Sequence, residues 1–331
     1  MRWTRASGKL GWSPVLSVQE QREVFLQRTQ GPSADPPEQD CSMWQQPRGM
    51  PALLPSGILR QLLDPAQRPG PTSVPALLSV IVPAYNEAAR IPATLRGIAV
   101  HFADAPFPVE LLVVDDGSRD DTSEVVRSIA PKLGVPVTLL RYAPNRGKGF
   151  ALKVGFAASR GERILFSDAD LSTPIEEADR FLAALAGADI AIGSRKHARA
   201  CIEVHQSRLR ETLGKGFTWL VRRFAADVSD ATCGFKAYRG DAGRDLYARM
   251  RVFDWSFDAE MLLVGTRLGL RLVEVPVRWR DQAGSKVDLR RDVLRSLHGL
   301  LRIYTNALRG RYEVRHPIDA VVTAEGFTPQ P

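Results

Sequence analysis

From Leu77 to Arg195 the chain alternates between two hydrophobic rhythms. Short apolar runs rich in Val, Ile and Leu occupy "LLSVIVPAY" (77–85), "VELLVVDD" (109–116), "VPVTLLRY" (135–142), "RILFSDAD" (163–170) and "DIAIGSR" (189–195). Runs this short, bounded by turn residues, predict buried strands. Between them apolar residues return every three or four positions, in "EAARIPATLRGIAVHF" (87–102), "RDDTSEVVRSIAPKL" (119–133), Lys148 to Ser159 and Glu176 to Ala186. That spacing is helical, with an Asp or Ser available to cap the second helix. Five strands alternating with helices predict an α/β fold, a Rossmann-like, mostly parallel sheet with helices on both faces.

The flanks follow other patterns. Residues 286–315 form a predicted basic amphipathic helix: Val293, Leu294, Leu297, Leu300, Leu301, Tyr304 and Leu308 recur at helical steps, while Arg290, Arg291, Arg295, Arg302 and Arg309 fall mostly elsewhere on the wheel. Such a helix can lie in a membrane interface or dock on the protein's own sheet. Residues 1–76 lack periodicity and carry "QGPSADPPEQD" and "DPAQRPGPTSVP", so they read as an extension, mostly disordered, with short helices near Val18–Gln27 and Leu53–Leu63. Met50 is a possible alternative start. The expected organisation is thus 1–76 extension, 77–285 α/β domain, 286–315 basic helix and 316–331 tail.

Composition narrows the partners. The 331 residues are 44% hydrophobic with a formal net charge of +8, which suits a sizeable core and an anionic partner. Cys41, Cys201 and Cys233 lie far apart, without the spacing of a disulfide framework or a zinc site, as befits a reducing compartment. His101, His197, His205, His298 and His316 show no ligand spacing. No run reaches the roughly 18 apolar residues a membrane-spanning helix needs, so any membrane contact is expected to be peripheral.

Polar residues gather where the predicted strands end: Asn86 and Glu87, Asp115 and Asp116, Asp168 and Asp170, Ser194 and Arg195. In open α/β sheets ligands sit beyond those carboxyl ends. Crowded carboxylates repel, and a hard divalent cation would neutralise them while leaving positions for phosphate oxygens. Asp168 and Asp170 in "DADLSTP" suit that role, although either could instead cap the helix near Pro174.

The motifs "PAYNEAARIPATL" (83–95), "VVDDGSRDDT" (113–122), "NRGKGFALKVGF" (145–156), "DADLSTP" (168–174), "IGSR" (192–195), "DATCGFKAYR" (230–239), "WSFDAEMLL" (255–263), "VEVPVRW" (273–279) and "AGSKV" (283–287) occur in the order of family 2 glycosyltransferases with the GT-A fold. Together they resemble the dolichyl-phosphate β-glucosyltransferases and other polyprenyl-phosphate glycosyltransferases, over about Leu77 to Tyr312. The resemblance implies an inverting transfer of a hexose, glucose from UDP-glucose, onto a polyprenyl (dolichyl or undecaprenyl) phosphate at the cytoplasmic face of a membrane. It implies donor contacts from Pro83, Tyr85, Glu87, Asp115, Asp116, Lys148 and Asp168, with Mg²⁺ or Mn²⁺ on Asp168 and Asp170. It also implies catalytic roles for Asp170, Arg195, Arg210 and Asp258, and an acceptor-phosphate site from Arg195, Arg208, Arg210, Ser285 and Lys286.

Bland alternatives stay open beside these roles: Asp116 as a turn residue before Gly117, Lys148 as a solvated lysine at a helix start, Asp258 as the start of a helix running to Arg267. A phosphate monoester acceptor needs no general base, since its second pKa is about 6. A soluble acceptor and a GDP-mannose donor also remain open. An RNA-binding module is disfavoured, because acidic residues occupy the sheet's functional edge and no RNP or KH signature occurs; a nucleotidyltransferase is disfavoured by the lack of a Gly-rich loop after the first strand. No nucleic-acid partner is expected.

Overall fold

A computed structural model describes residues 2–6, 9–13, 77–204, 208–280 and 289–329. The expected helices near Val18–Gln27 and Leu53–Leu63 lie outside these residues. Strands β1 (Arg2–Ala6) and β2 (Lys9–Ser13) pair antiparallel as a small unit by themselves, structure that the sequence pattern gave no reason to expect. The remaining elements build one large α/β unit.

Its five expected strands are β3 (Leu78–Ala84), β4 (Val109–Asp116), β5 (Val137–Tyr142), β6 (Arg163–Ser167) and β7 (Ile190–Ser194). The expected helices are α1 (Ile91–His101), α2 (Thr122–Ile129), α3 (Lys148–Ala158) and α4 (Ala178–Ala184). The second helix has no side-chain cap from Asp121; the Asp120 carboxylate accepts from the Thr122 N–H at 3.1 Å instead. After β8 (Cys201–Val204) come α5 (Arg208–Phe224), β9 (Phe235–Arg239), α6 (Gly240–Arg249), α7 (Phe257–Arg267), β10 (Leu272–Pro276), β11 (Arg278–Arg280), α8 (Leu289–Leu308) and β12 (Thr323–Phe327).

The eight-stranded sheet has the order β10-β7-β9-β6-β3-β4-β5-β12. All strands run parallel except β9, which is antiparallel to both β6 and β7, and β12, which is antiparallel to β5. Because β9 runs backwards, the loop that enters it meets the carboxyl ends of its neighbours. Strands β8 and β11 form a separate parallel ribbon.

Side chains alternate across the sheet with period two. Val80, Val82, Leu111 and Val113 point into one core with Ile91, Leu95 and Phe181; Ile81, Leu112 and Val114 point into the other with Phe150, Phe156 and Met261. A sheet buried on both faces explains why its strands read as continuous apolar runs rather than alternating ones. Cys233 is free and buried. No described helix is long and apolar enough to cross a membrane.

Candidate functional site

The site begins with two loops that lock together where β3 and β4 end. The Asn86 N–H donates to Ser118 Oγ (2.9 Å), the Arg119 N–H to Asn86 Oδ1 (2.8 Å) and the Glu87 N–H to Thr122 Oγ1 (2.8 Å). Pro83 is buried in β3, and Tyr85 and Glu87 follow it half-buried. Glu87 grips Arg90 through two hydrogen bonds of 2.6 and 2.8 Å. That bond, with the nearby charge of Asp170, holds Arg90 above its ordinary value. Arg90, which the sequence reading passed over, therefore stands between a predicted donor residue and a predicted metal residue.

Asp115 and Asp116 close β4 and face inward. Asp115 is fully buried; it accepts from the Ser118 N–H at 2.7 Å and from Ser123 Oγ, and Arg141 lies 3.5 Å away. Asp116 accepts from Tyr142 OH (2.8 Å), Asn145 Nδ2 (2.8 Å) and the N–H groups of Arg146 (2.7 Å) and Gly147 (2.9 Å). Burial pushes its carboxyl upward despite these bonds. Its four donors shape the loop that leads into α3. Gly147 is required there: its φ is +98°, and a Cβ would stand 2.5 Å from the Phe253 carbonyl oxygen.

Lys148 opens α3 and reaches across to the Asp168 carboxylate. Its ammonium also lies 5.0 Å from the Phe166 ring centre and 5.8 Å from that of Phe257. Burial alone would lower this lysine, but Asp168 and Asp258 outweigh it and raise it. Asp258, in the first turn of α7, is in turn held at 2.8 Å by Lys236, a fully buried lysine of β9 that also donates to the Cys233 carbonyl. Lys148, Asp168, Asp258 and Lys236 thus form a cluster of alternating charge. The sequence carried one signal of it, a lysine set among Phe235, Ala237 and Tyr238 inside an apolar strand.

Asp168 and Asp170 follow β6 in a turn. Asp168 remains about one-third exposed at 32%, and Asp170 accepts from the Ser172 N–H at 2.9 Å. Gly234, at the mouth of the reversed strand β9, lies so close that a Cβ there would stand 1.8 Å from Asp168 Oδ2. Among the described residues no three His, Cys, Asp or Glu side chains gather as a closed metal site. A hard cation that takes one or two carboxylates and fills its remaining positions with water and phosphate oxygens needs no such cage. Two partly open carboxylates one residue apart fit that donor set.

Arg195 follows β7, and its guanidinium clasps Asp230 at 2.6 and 2.9 Å, donates to Thr232 Oγ1 at 2.9 Å and lies 5.5 Å from the Trp279 ring centre. Burial disfavours the Asp230 charge, yet Arg195 outweighs it and holds that carboxyl well below its usual range. Glu274 anchors the same turn through the N–H groups of Ser229 (2.9 Å) and Asp230 (3.1 Å). Asp230 and Glu274 had no assigned role. Beside Asp168 a cleft of about 300 Å³ is lined by Leu171, Ser172, Pro174, Arg278, Trp279 and their neighbours. Arg208 and Arg210 lie in the first turn of α5, with their side chains outside the described residues; Ser285 and Lys286 fall in 281–288, also outside them.

Comparison with known proteins places this arrangement. The family model described as "Glycosyl transferase family 2" matches residues 79–246. The chain is 36% identical over 251 residues to a dolichyl-phosphate beta-glucosyltransferase of Drosophila melanogaster, covering 72% of this chain and 77% of that protein. It is 34% identical over 224 residues to the Homo sapiens protein of the same description, covering 63% and 69%. Among solved structures, glucosyl-3-phosphoglycerate synthase from Mycobacterium tuberculosis, crystallised with Mn²⁺, UDP-glucose and phosphoglyceric acid, superposes with a TM-score of 0.55 at 20% identity, covering 78% and 85% of the two chains. That likeness establishes the shared GT-A fold.

Proposed function

The chain belongs to glycosyl transferase family 2, with the GT-A fold, and we propose that it moves glucose from UDP-glucose onto a polyprenyl phosphate at a membrane surface. The observation that carries this reading is the pairing of Lys148 with a partly open Asp168, beside Asp170, at the strand ends. The names of the relatives supply the substrate class: they are dolichyl-phosphate beta-glucosyltransferases.

Asp168 and Asp170 would hold a divalent cation, Mg²⁺ or Mn²⁺, which when bound neutralises the charge developing on the departing diphosphate. Lys148 stands at the start of α3, whose positive dipole end favours a phosphate. With its raised affinity for the proton it stays cationic, ready to exchange Asp168 for a phosphate oxygen. The loop shaped by Asp116 keeps Gly147 and Gly149 close to that position, and the Gly149 N–H is braced by the Phe253 carbonyl at 3.1 Å. Tyr85, Glu87 and the 115–116 edge border the place for the nucleoside.

On the acceptor side, a phosphate monoester is largely dianionic at neutral pH and attacks without a general base. Asp258, with Lys236 as a fixed counter-ion, is accordingly a positioning carboxylate for the donor sugar and for Lys148. Arg195 is preorganised by Asp230 and supplies positive charge at the same edge; Arg208, Arg210, Ser285 and Lys286 are the further candidates for the acceptor phosphate. The test is transfer of labelled sugar by the purified chain, with divalent metal, from a panel of UDP- and GDP-hexoses to a short polyprenyl phosphate. Organic-phase label from UDP-glucose is expected. Label from GDP-mannose alone would replace the donor, and label in water-soluble products alone would replace the acceptor.

A further inference from the structure

Helix α8 carries two apolar faces. Leu300 and Ile303 are buried in the core, and Gly299 packs so tightly on the start of α7 that a Cβ would stand 2.1 Å from Ser256 Oγ. Leu297 (48% exposed), Leu301 (59%), Tyr304 (53%) and Leu308 (69%) face away from it. At about 100° per residue these four fall within roughly 60° of arc. A docked helix ordinarily turns polar residues to solvent. Single exposed apolar residues are unremarkable, but an aligned row of four large ones marks an interaction surface.

Between the exposed row and the buried face runs a third stripe, Arg295, Arg302 and Arg309, one every seven residues. From Val293 to Tyr312 the sequence contains four arginines and no acidic residue. Arg302 reaches Asp254 at 3.4 Å, and Ser256 Oγ donates to the Ser296 carbonyl at 3.2 Å, so Trp255, 47% exposed, stands beside the arginine stripe. Leucines beside a row of arginines, with an aromatic at the margin, match an anionic phospholipid surface in both polarity and charge. A second copy of the chain does not match: a two-fold contact through this face would set two arginine stripes side by side.

We propose that the Leu297–Leu308 row is a membrane-docking face that seats α8 along an anionic bilayer surface. This deepens, and for its purpose rests on, the reading of a lipid-phosphate acceptor. Segment 253–258 ties the face to the donor cleft: the Phe253 carbonyl braces Gly149, Ser256 packs on α8, and the Phe257 ring centre lies 5.8 Å from the Lys148 ammonium. Docking through α8 therefore holds the cleft next to the surface where a polyprenyl phosphate resides.

The experiment is flotation of the full chain with vesicles of phosphatidylcholine alone or mixed with phosphatidylglycerol, alongside titration with UDP-glucose and Mn²⁺ in lipid-free buffer. The wild-type chain is expected to float with the anionic vesicles. Leu297→Ser, Leu301→Ser and Leu308→Ser combined should weaken that binding roughly tenfold or more while UDP-glucose affinity is unchanged, which reports an intact fold. Arg295→Gln, Arg302→Gln and Arg309→Gln combined should abolish the preference for anionic lipid. Equal flotation of wild type and the serine variant overturns the proposal, as does a lipid-free dimer that the serine variant dissociates. Absence of UDP-glucose binding by the wild-type chain would instead overturn the glucosyltransferase reading, whatever the flotation result.

Discussion

Asp116 and Asp168 both stand at the carboxyl ends of parallel strands, yet their surroundings differ. Asp116 accepts four hydrogen bonds, from Tyr142 at the end of β5 and from Asn145, Arg146 and Gly147 in the loop that follows it. Asp168 meets Lys148 and keeps about a third of its side chain open, and its neighbour Asp170 accepts from one backbone N–H. A carboxylate whose acceptor positions are occupied by its own protein is scaffold; one left partly open is prepared for a ligand. The "VVDDGS" and "DADLS" stretches look equivalent in sequence, but the Asp116 carboxylate of the first is enclosed by donors of its own protein, whereas the second keeps Asp168 partly open; under the proposed function it is the second that meets the ligand.

Substitutions can break or sharpen that contrast. The largest effect is expected for Asp170→Ala, which removes an open carboxylate: transfer should fall on the order of a thousandfold with an unchanged urea midpoint. A large stability loss would move Asp170 to the scaffold class. Asp116→Ala should do the reverse, leaving several donors without an acceptor and lowering unfolding free energy by about 3 kcal/mol, seen as an earlier urea transition. An unshifted transition would remove it from the scaffold.

Gly234→Ala tests placement alone, because the added methyl meets Asp168 Oδ2. Displacement by about 1 Å should cost roughly a hundredfold in kcat/KM, with little change in melting temperature. Full activity would mean that Asp168 need not sit where the fold puts it. The smallest effect belongs to Glu260, which braces the loop behind Gly147 by accepting from the N–H groups of Arg251 (3.0 Å) and Val252 (2.8 Å) and from Tyr312 OH (2.6 Å). Burial raises it to about 7, against these bonds and the charge of nearby Lys153. A raised carboxyl stabilises fully below its unfolded value, about 4.3, and loses that contribution as pH rises through 7. Unfolding free energy should decline across that window, and Glu260→Gln should flatten the decline; an unchanged slope would exclude Glu260 as its source.

Much of the fold was legible. β3 to β7 and α1 to α4 lie where the apolar rhythm put them, with α3 beginning at Lys148 as the pattern required. Among the described residues the C-terminal helix runs over Leu289–Leu308, within the expected 286–315. One face of it packs on the protein through Leu300 and Ile303, while Leu297, Leu301, Tyr304 and Leu308 are exposed. Arg195 was legible as a residue at a strand end, but not as one clasped by Asp230 from 35 residues away. Asp230, Gly234 and Lys236 were visible as letters of a motif and invisible as parts of the site.

The sequence by itself determined β3 to β7, α1 to α4, the polar ends of those strands and the family, because hydrophobic period, turn residues and short motifs are local properties of the chain. Only the tertiary structure decided that β9 runs backwards between β6 and β7, carrying Asp230 to Arg195, Gly234 to Asp168 and Lys236 to Asp258. Strand order and direction follow from packing between segments far apart in the chain, which no local pattern encodes. The division between satisfied and open carboxylates has the same origin: it depends on which donors the folded neighbours bring, and not on the aspartates themselves.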